Sequence, residues 1–280
     1  MIPSFDHDTG KAQAAVQAAR RRGLAVPQDI DACHTMWQIV MDAAHMQAPE
    51  RPTVDDIPAT AEQLAADIEQ RAHAHRIAAA HRAIAADYQE PVARRYNQLV
   101  KERVPGWILA LQPEFNALVK ALATQSRKLP EQLDVHLLDW NDPKITAAWE
   151  KAESAAHQLD QLVNDRQDMA KAVGGDGGRD NELYAVAKIA EPSSADVFAH
   201  KLRDEVGPAR REWRALKGQP VSRWLYLTRS PHFELQLATP GEVHDRAAAM
   251  DRWHDAVQVI MTSGMSHQQA QHAVAQALRA

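Results

Sequence analysis

A single glycine, Gly106, interrupts the run from Leu24 to Val173. Glycine supplies left-handed caps and tight turns, so about 150 residues with only one of them favour long helices over many short strands. Prolines take over the punctuation: Pro58, Pro105, Pro113, Pro130 and Pro143 stand where helices would start or stop. The pattern predicts a mainly α fold. Its body is an elongated helical bundle built on a coiled-coil-like hairpin, followed by a small C-terminal helical domain with one β-hairpin.

Along the chain, residues 1–58 read as N-terminal helices and a linker. Lys11 to Arg22 is alanine-rich and closes on a basic turn before Gly23, as a helix C-terminus prefers. From Pro27 onward, Ile30, Cys33, Met36, Trp37, Val40, Met41 and Ala44 recur on one helical face. Residues 59–173 form the predicted helical hairpin. Thr60 with Gln63 gives a capping-box start. Leu64, Ile68, Ile84, Tyr88, Val92, Tyr96 and Val100 suggest a buried stripe, Pro91 a kink, and Pro105-Gly106 the reversal, with shorter helices after Pro113 and Pro130.

Asp142-Pro143 then opens a helix in which Ile145, Trp149, Ala152, Ala156, Leu159, Val163, Arg166, Ala170 and Val173 alternate at steps of 4 and 3. This heptad seam pairs either with the 60–104 helix of the same chain or with another copy. Ile145, Trp149, Leu159 and Val163 are therefore the candidate oligomer-interface residues.

Residues 174–180, Gly174-Gly175-Asp176-Gly177-Gly178 with Arg179 and Asp180, read as a flexible linker; no Gly-Lys-Ser/Thr ending makes them a phosphate loop. The 181–280 region begins helical. The period-two patterns VSRWLYLTR and HFELQLAT then suggest a hairpin over 221–239, and Thr239-Pro240-Gly241-Glu242 restarts a helix.

Composition bounds the function. Aromatic residues make up only 5% of the chain and alanine supplies much of its 45% hydrophobic content, so each helix contact buries little area and stability must come from long interfaces. A formal charge of −5 disfavours general polyanion binding. The lone Cys33 cannot form an internal disulfide and reads as a buried thiol. The opening MIPSFDHDTG shows neither a basic nor an apolar leader region, and no apolar run approaches about 18 residues. A cytoplasmic protein, or one assembled in a phage particle, with no membrane partner, is expected.

Three features could carry chemistry. Glu69, His73 and His81, and likewise Asp251, His254 and Asp255, share helical faces, but neither set has the spacing of a recognised metal motif. Tyr96-Asn97-Gln98-Leu99-Val100-Lys101-Glu102-Arg103-Val104-Pro105 resembles the opening of some MazG-like nucleotide pyrophosphohydrolases. That family is all-helical and holds magnesium on acid pairs of two packed helices. The resemblance implies that Glu150 with Glu153, and Asp165 with Asp168 (a DxxD in place of ExxD), would bind magnesium and orient the attacking water. The heptad reading instead keeps all four acids on one helix.

Finally, the stretch from Lys201 to Arg229 carries eight basic side chains against three acidic ones, interleaved with Trp213, Trp224 and Tyr226. Arg210, Arg211, Arg214 and Arg223 are its candidate nucleic-acid contacts. The same patch could instead dock on the acidic 50–70 segment of a neighbouring subunit.

The expected function is non-enzymatic: structural assembly through helical protein–protein interfaces, as a homo-oligomer or larger assembly, with no cofactor. Alanine- and arginine-rich usage points to a phage or prophage structural or accessory role. The alternatives are the magnesium-dependent pyrophosphohydrolase and a nucleic-acid-binding accessory protein.

Overall fold

The computed structural model describes residues 9–130, 138–178, 181–189, 202–262 and 264–277. The protein is mainly α, and the described residues include one two-stranded antiparallel sheet. Helices α1 (Gly10–Arg21) and α2 (Gln28–Ala44) precede α3 (Ala61–Ser126), which is followed by α4 (Pro143–Lys171). The rest comprises α5 (Asn181–Tyr184), β1 (Ala187–Ile189), α6 (Gly207–Ala215), α7 (Pro220–Arg229), β2 (Phe233–Leu235), α8 (Pro240–Thr262) and α9 (His267–Ala277).

Local signals set the helix ends. Gly23, at φ +66°, closes α1: its N–H donates to the Arg20 carbonyl at 2.9 Å and that of Leu24 to the Ala19 carbonyl at 2.9 Å, satisfying carbonyls that the helix leaves open. Thr60 Oγ1 accepts the Gln63 N–H at 3.2 Å, and Asp142 Oδ1 accepts that of Lys144 at 2.8 Å. Thr239 and Glu242 exchange bonds at the start of α8: the Thr239 N–H donates to Glu242 Oε2 at 2.7 Å and the Glu242 N–H to Thr239 Oγ1 at 3.4 Å.

The predicted reversal at Pro105-Gly106 does not occur. Helix α3 runs unbroken through Pro91, Pro105 and Pro113 for 66 residues, about 100 Å at 1.5 Å per residue. An interior proline costs about 3 kcal/mol and a glycine about 1 kcal/mol relative to alanine. Burial offsets this. Val104, Trp107, Ile108 and Leu111 flank the pair and are all buried, each large side chain contributing about 1.5–3 kcal/mol. Trp107 Nε1–H also donates to the Ala25 carbonyl at 3.1 Å. All three prolines lie on the exposed side of α3, where water can solvate the carbonyls they leave unbonded. The helix predicted after Pro113 is simply the end of α3, and the one after Pro130 falls mostly on residues 131–137, outside the described residues.

The first strand of the predicted hairpin is also corrected. Residues Pro220–Arg229 are helical, and β2 pairs instead with β1, in the register Ala187↔Leu235, Lys188↔Glu234 and Ile189↔Phe233. Helix α7 sits against both α3 and α4, and Val221 to Leu225 and Leu227 are all buried. A helix covered on most sides loses its 3.6-residue polar period, so its sequence imitates a strand.

A contiguous core joins α1, α3, α4, α7 and α8. It continues across the glycine segment, which is pinned rather than free. The Arg166 side chain, 0% exposed, makes paired hydrogen bonds to both Asp176 carboxylate oxygens and donates from Nε to the Ala238 carbonyl at 2.9 Å. The one charge in the heptad pattern thereby ties α4 to the glycine turn and to the approach of α8.

Candidate interaction surface

The α4 seam is occupied within the chain. Trp149, Leu159 and Val163 are buried and Ile145 packs against the same core, chiefly between α4 and α3. These four candidates are corrected from an intermolecular to an intramolecular role: the neighbouring helices that cover them are the chain's own.

The acid pairs do not converge either. Glu150 and Glu153 are exposed, and both pairs lie on the single helix α4. Asp165 is neutralised by two arginines, Arg21 Nη2 at 2.6 Å and Arg22 Nε at 2.5 Å, while Asp168 pairs with Lys171 Nζ at 2.9 Å. The Arg21 guanidinium is held above its ordinary range mainly by its hydrogen bond to Asp165. Among the described residues no three His, Cys, Asp or Glu side chains are grouped as metal ligands would be. The four acids are therefore not brought together: Asp165 and Asp168 dock α1 on α4 through Arg21 and Arg22, while Glu150 and Glu153 face outward.

The basic segment loses its readers. Trp213 and Trp224 are 3% and 1% exposed, and Trp224 Nε1–H donates to Asp160 at 2.7 Å. Arg223 stacks over the Trp213 ring at 3.5 Å and pairs with Glu182 at 3.0 Å, while Arg210 donates to the Tyr184 hydroxyl at 2.9 Å. Burial alone would push the Glu182 carboxyl up, but the hydrogen bond and charge of Arg223, with Lys217, hold it below the usual carboxylate range. Of the four nucleic-acid candidates only Arg211 is exposed, with Arg210 and Arg214 half-buried and Arg223 buried. The two tryptophans that could have stacked bases fill the core instead, and Tyr226 alone of the three aromatics is partly exposed.

Exposed apolar surface gathers instead on the N-terminal part of α3. Between Ala61 and Pro91 only Ala78 and Ala85 are buried, and neither belongs to the contiguous core. This part of α3 is an arm. Helix α2 and the segment after it run along one side in the opposite direction: Cys33 Sγ lies 3.9 Å from the Val92 carbonyl, Arg82 donates to the Met46 carbonyl at 2.9 Å, and Arg71 to the Glu50 carbonyl at 2.9 Å. Small alanines permit this close approach, and the larger side chains are left outside. The predicted buried stripe is therefore corrected at its first half. Ile68, Ile84 and Tyr88 are each 58% exposed, with Leu64 and Ile77 at 40% and 39%. Met36, also expected in the core, is exposed on α2, whereas Ile30, Cys33 and Trp37 are buried. Burial pushes the Cys33 thiol up, against the charge of Arg95.

The chain's accessible surface is 17,033 Å², against about 12,000 Å² for a compact monomer of 31.1 kDa. Among the described residues no helix is long and apolar enough to cross a membrane.

No protein-family model matches the chain, and neither a curated protein nor a solved structure matches it.

Proposed function

We propose that the protein works as a non-enzymatic helical assembly protein whose working surface is the exposed arm of α3. One observation carries this reading: isoleucines and a tyrosine stand in water on a helix whose own chain covers only one side of it. Isolated exposed apolar residues are ordinary on any surface. A succession of them along one protruding helix is what interaction surfaces present. The core of such a surface is depleted in charge, and Ile77, His81, Ile84 and Tyr88, which share one face of the arm, include no Asp, Glu, Lys or Arg and one aromatic ring. A phage or prophage structural role is supported by the alanine- and arginine-rich composition alone.

Light scattering coupled to size exclusion tests the reading. The expected result is a mass above 31.1 kDa that falls on dilution. A mass of 31.1 kDa at every concentration would remove self-assembly as the protein's mode of action.

A further inference from the structure

Gln70, Ala74, Ile77, His81, Ile84 and Tyr88 succeed one another at steps of 4, 3, 4, 3 and 4. Such a rhythm keeps all six on one side of a helix and is the spacing by which two helices pack along a shared seam. Ala74 is half-buried and the other five are exposed. No Asp, Glu, Lys or Arg belongs to the series. In the same rhythm Asp67 precedes the series, and Pro91 and then Arg95 follow it, so the uncharged seam is bounded by a charge at each end.

Building on the assembly reading, we propose that the occupant of this seam is the same seam of a second copy, the two arms lying antiparallel about a twofold axis between Arg82 and Ala83. In that register Ile77 meets the partner's Tyr88, and His81 meets the partner's Ile84. Each contact occurs twice, as a closed twofold interface requires.

Charge selects this direction. The tip of the arm carries Glu62, Asp67 and Glu69, with Arg71 paired to Asp67, and its base carries Arg94, Arg95, Lys101 and Arg103 against Glu102 and Glu90, the last paired to Arg94. Glu62, Glu69, Arg95, Lys101 and Arg103 are exposed and have no ion pair among the described residues. The antiparallel register lays each acidic tip along the partner's basic base. A parallel register would set acid against acid and base against base, which is destabilising. It would also bring both bodies to the same end of the arms, whereas the antiparallel one keeps them apart.

The test uses the full chain with single cysteines and a short bis-maleimide cross-linker. Cys33 is buried, and the unsubstituted chain is the control. About a twofold axis at 82–83, position 81 lies about 4.5 Å along the axis from its own copy, whereas positions 77 and 88 lie about 16 Å from theirs. Thus His81→Cys is expected to link to twice 31.1 kDa. Ile77→Cys and Tyr88→Cys should fail alone but link when mixed. Ile84→Asp should return the protein to monomer mass with its helical circular dichroism unchanged, since Ile84 is exposed in the single chain. Self-linking by Ile77→Cys and Tyr88→Cys would overturn the antiparallel arrangement. A dimer that none of these variants links or dissociates would overturn the arm as its seat, yet leave the assembly reading intact. A strict monomer would overturn both.

Discussion

Asp176→Asn asks what a single carboxylate holds in place. Its partner Arg166 is 0% exposed in its side chain, and Asp176 itself is 13% exposed. Arginine stays protonated at any ordinary pH, so it cannot shed its charge when the carboxylate goes. The asparagine oxygen could still accept one hydrogen bond, but the guanidinium would keep only the Ala238 carbonyl and that neutral amide. Breaking a buried pair by removing one member costs about 3–5 kcal/mol, because the other charge is left uncompensated. Against a typical total of about 5–15 kcal/mol, that is a large share. At about 2–4 °C per kcal/mol for a chain of this size class, the melting midpoint should fall by roughly 10 °C. Thermal and urea unfolding followed by circular dichroism would measure it. The double variant Arg166→Met/Asp176→Asn removes both charges and should recover most of the loss, giving a coupling well above about 1 kcal/mol in the double-mutant cycle. A loss below about 1 kcal/mol for Asp176→Asn, or additive effects in the cycle, would refute the claim that the glycine turn is held by a compensated buried charge.

Other consequences can be measured separately. Pro105→Ala with Gly106→Ala should raise stability by up to about 4 kcal/mol if α3 is continuous there, as alanine is the better helix former at both positions; a Cβ added at Gly106 meets nothing within 4 Å. A fall in the unfolding midpoint would mean that the chain turns at this point after all. Burial pushes the Tyr96 phenol up to about 12, above its unfolded value of about 10. Its protonated form therefore contributes stability that is complete below pH about 10 and is lost as pH rises towards 12. Phenolate absorbance should show a late-titrating component that shrinks in Tyr96→Phe, the remainder coming from Tyr226, which burial also pushes up. Glu182 has the opposite sign: its folded value is depressed, so its contribution is present above the unfolded value, about 4.3, and disappears as pH falls through the folded one. Glu182→Gln should flatten the acid limb of the stability curve, and an unchanged limb would deny the Arg223 pairing its role. Gly23→Ala, forcing a left-handed φ on a residue with a Cβ, should cost about 1–2 kcal/mol in urea unfolding.

What could be read from residue order alone was whatever a few neighbouring residues settle among themselves. The caps at Thr60, Asp142 and Thr239 and the left-handed close at Gly23 are hydrogen bonds between residues two to five positions apart, so composition and spacing suffice to place them. The heptad rhythm of α4 likewise announced a packed helix, though not the identity of its neighbour. Everything that depends on a distant partner was decided in three dimensions. Pro105 breaks a helix unless burial of Trp107, Ile108 and Leu111 outweighs it. Residues Pro220–Arg229 alternate like a strand, yet are helical because α3 and α4 enclose them on most sides. Arginines that read as a binding patch are held by Glu182, Tyr184 and the Trp213 ring. On the arm, the choice of alanine over isoleucine as the buried face was fixed by how closely α2 could approach. A residue's propensity acts over one turn of helix, whereas burial is a property of what lies across from it, which no local pattern contains.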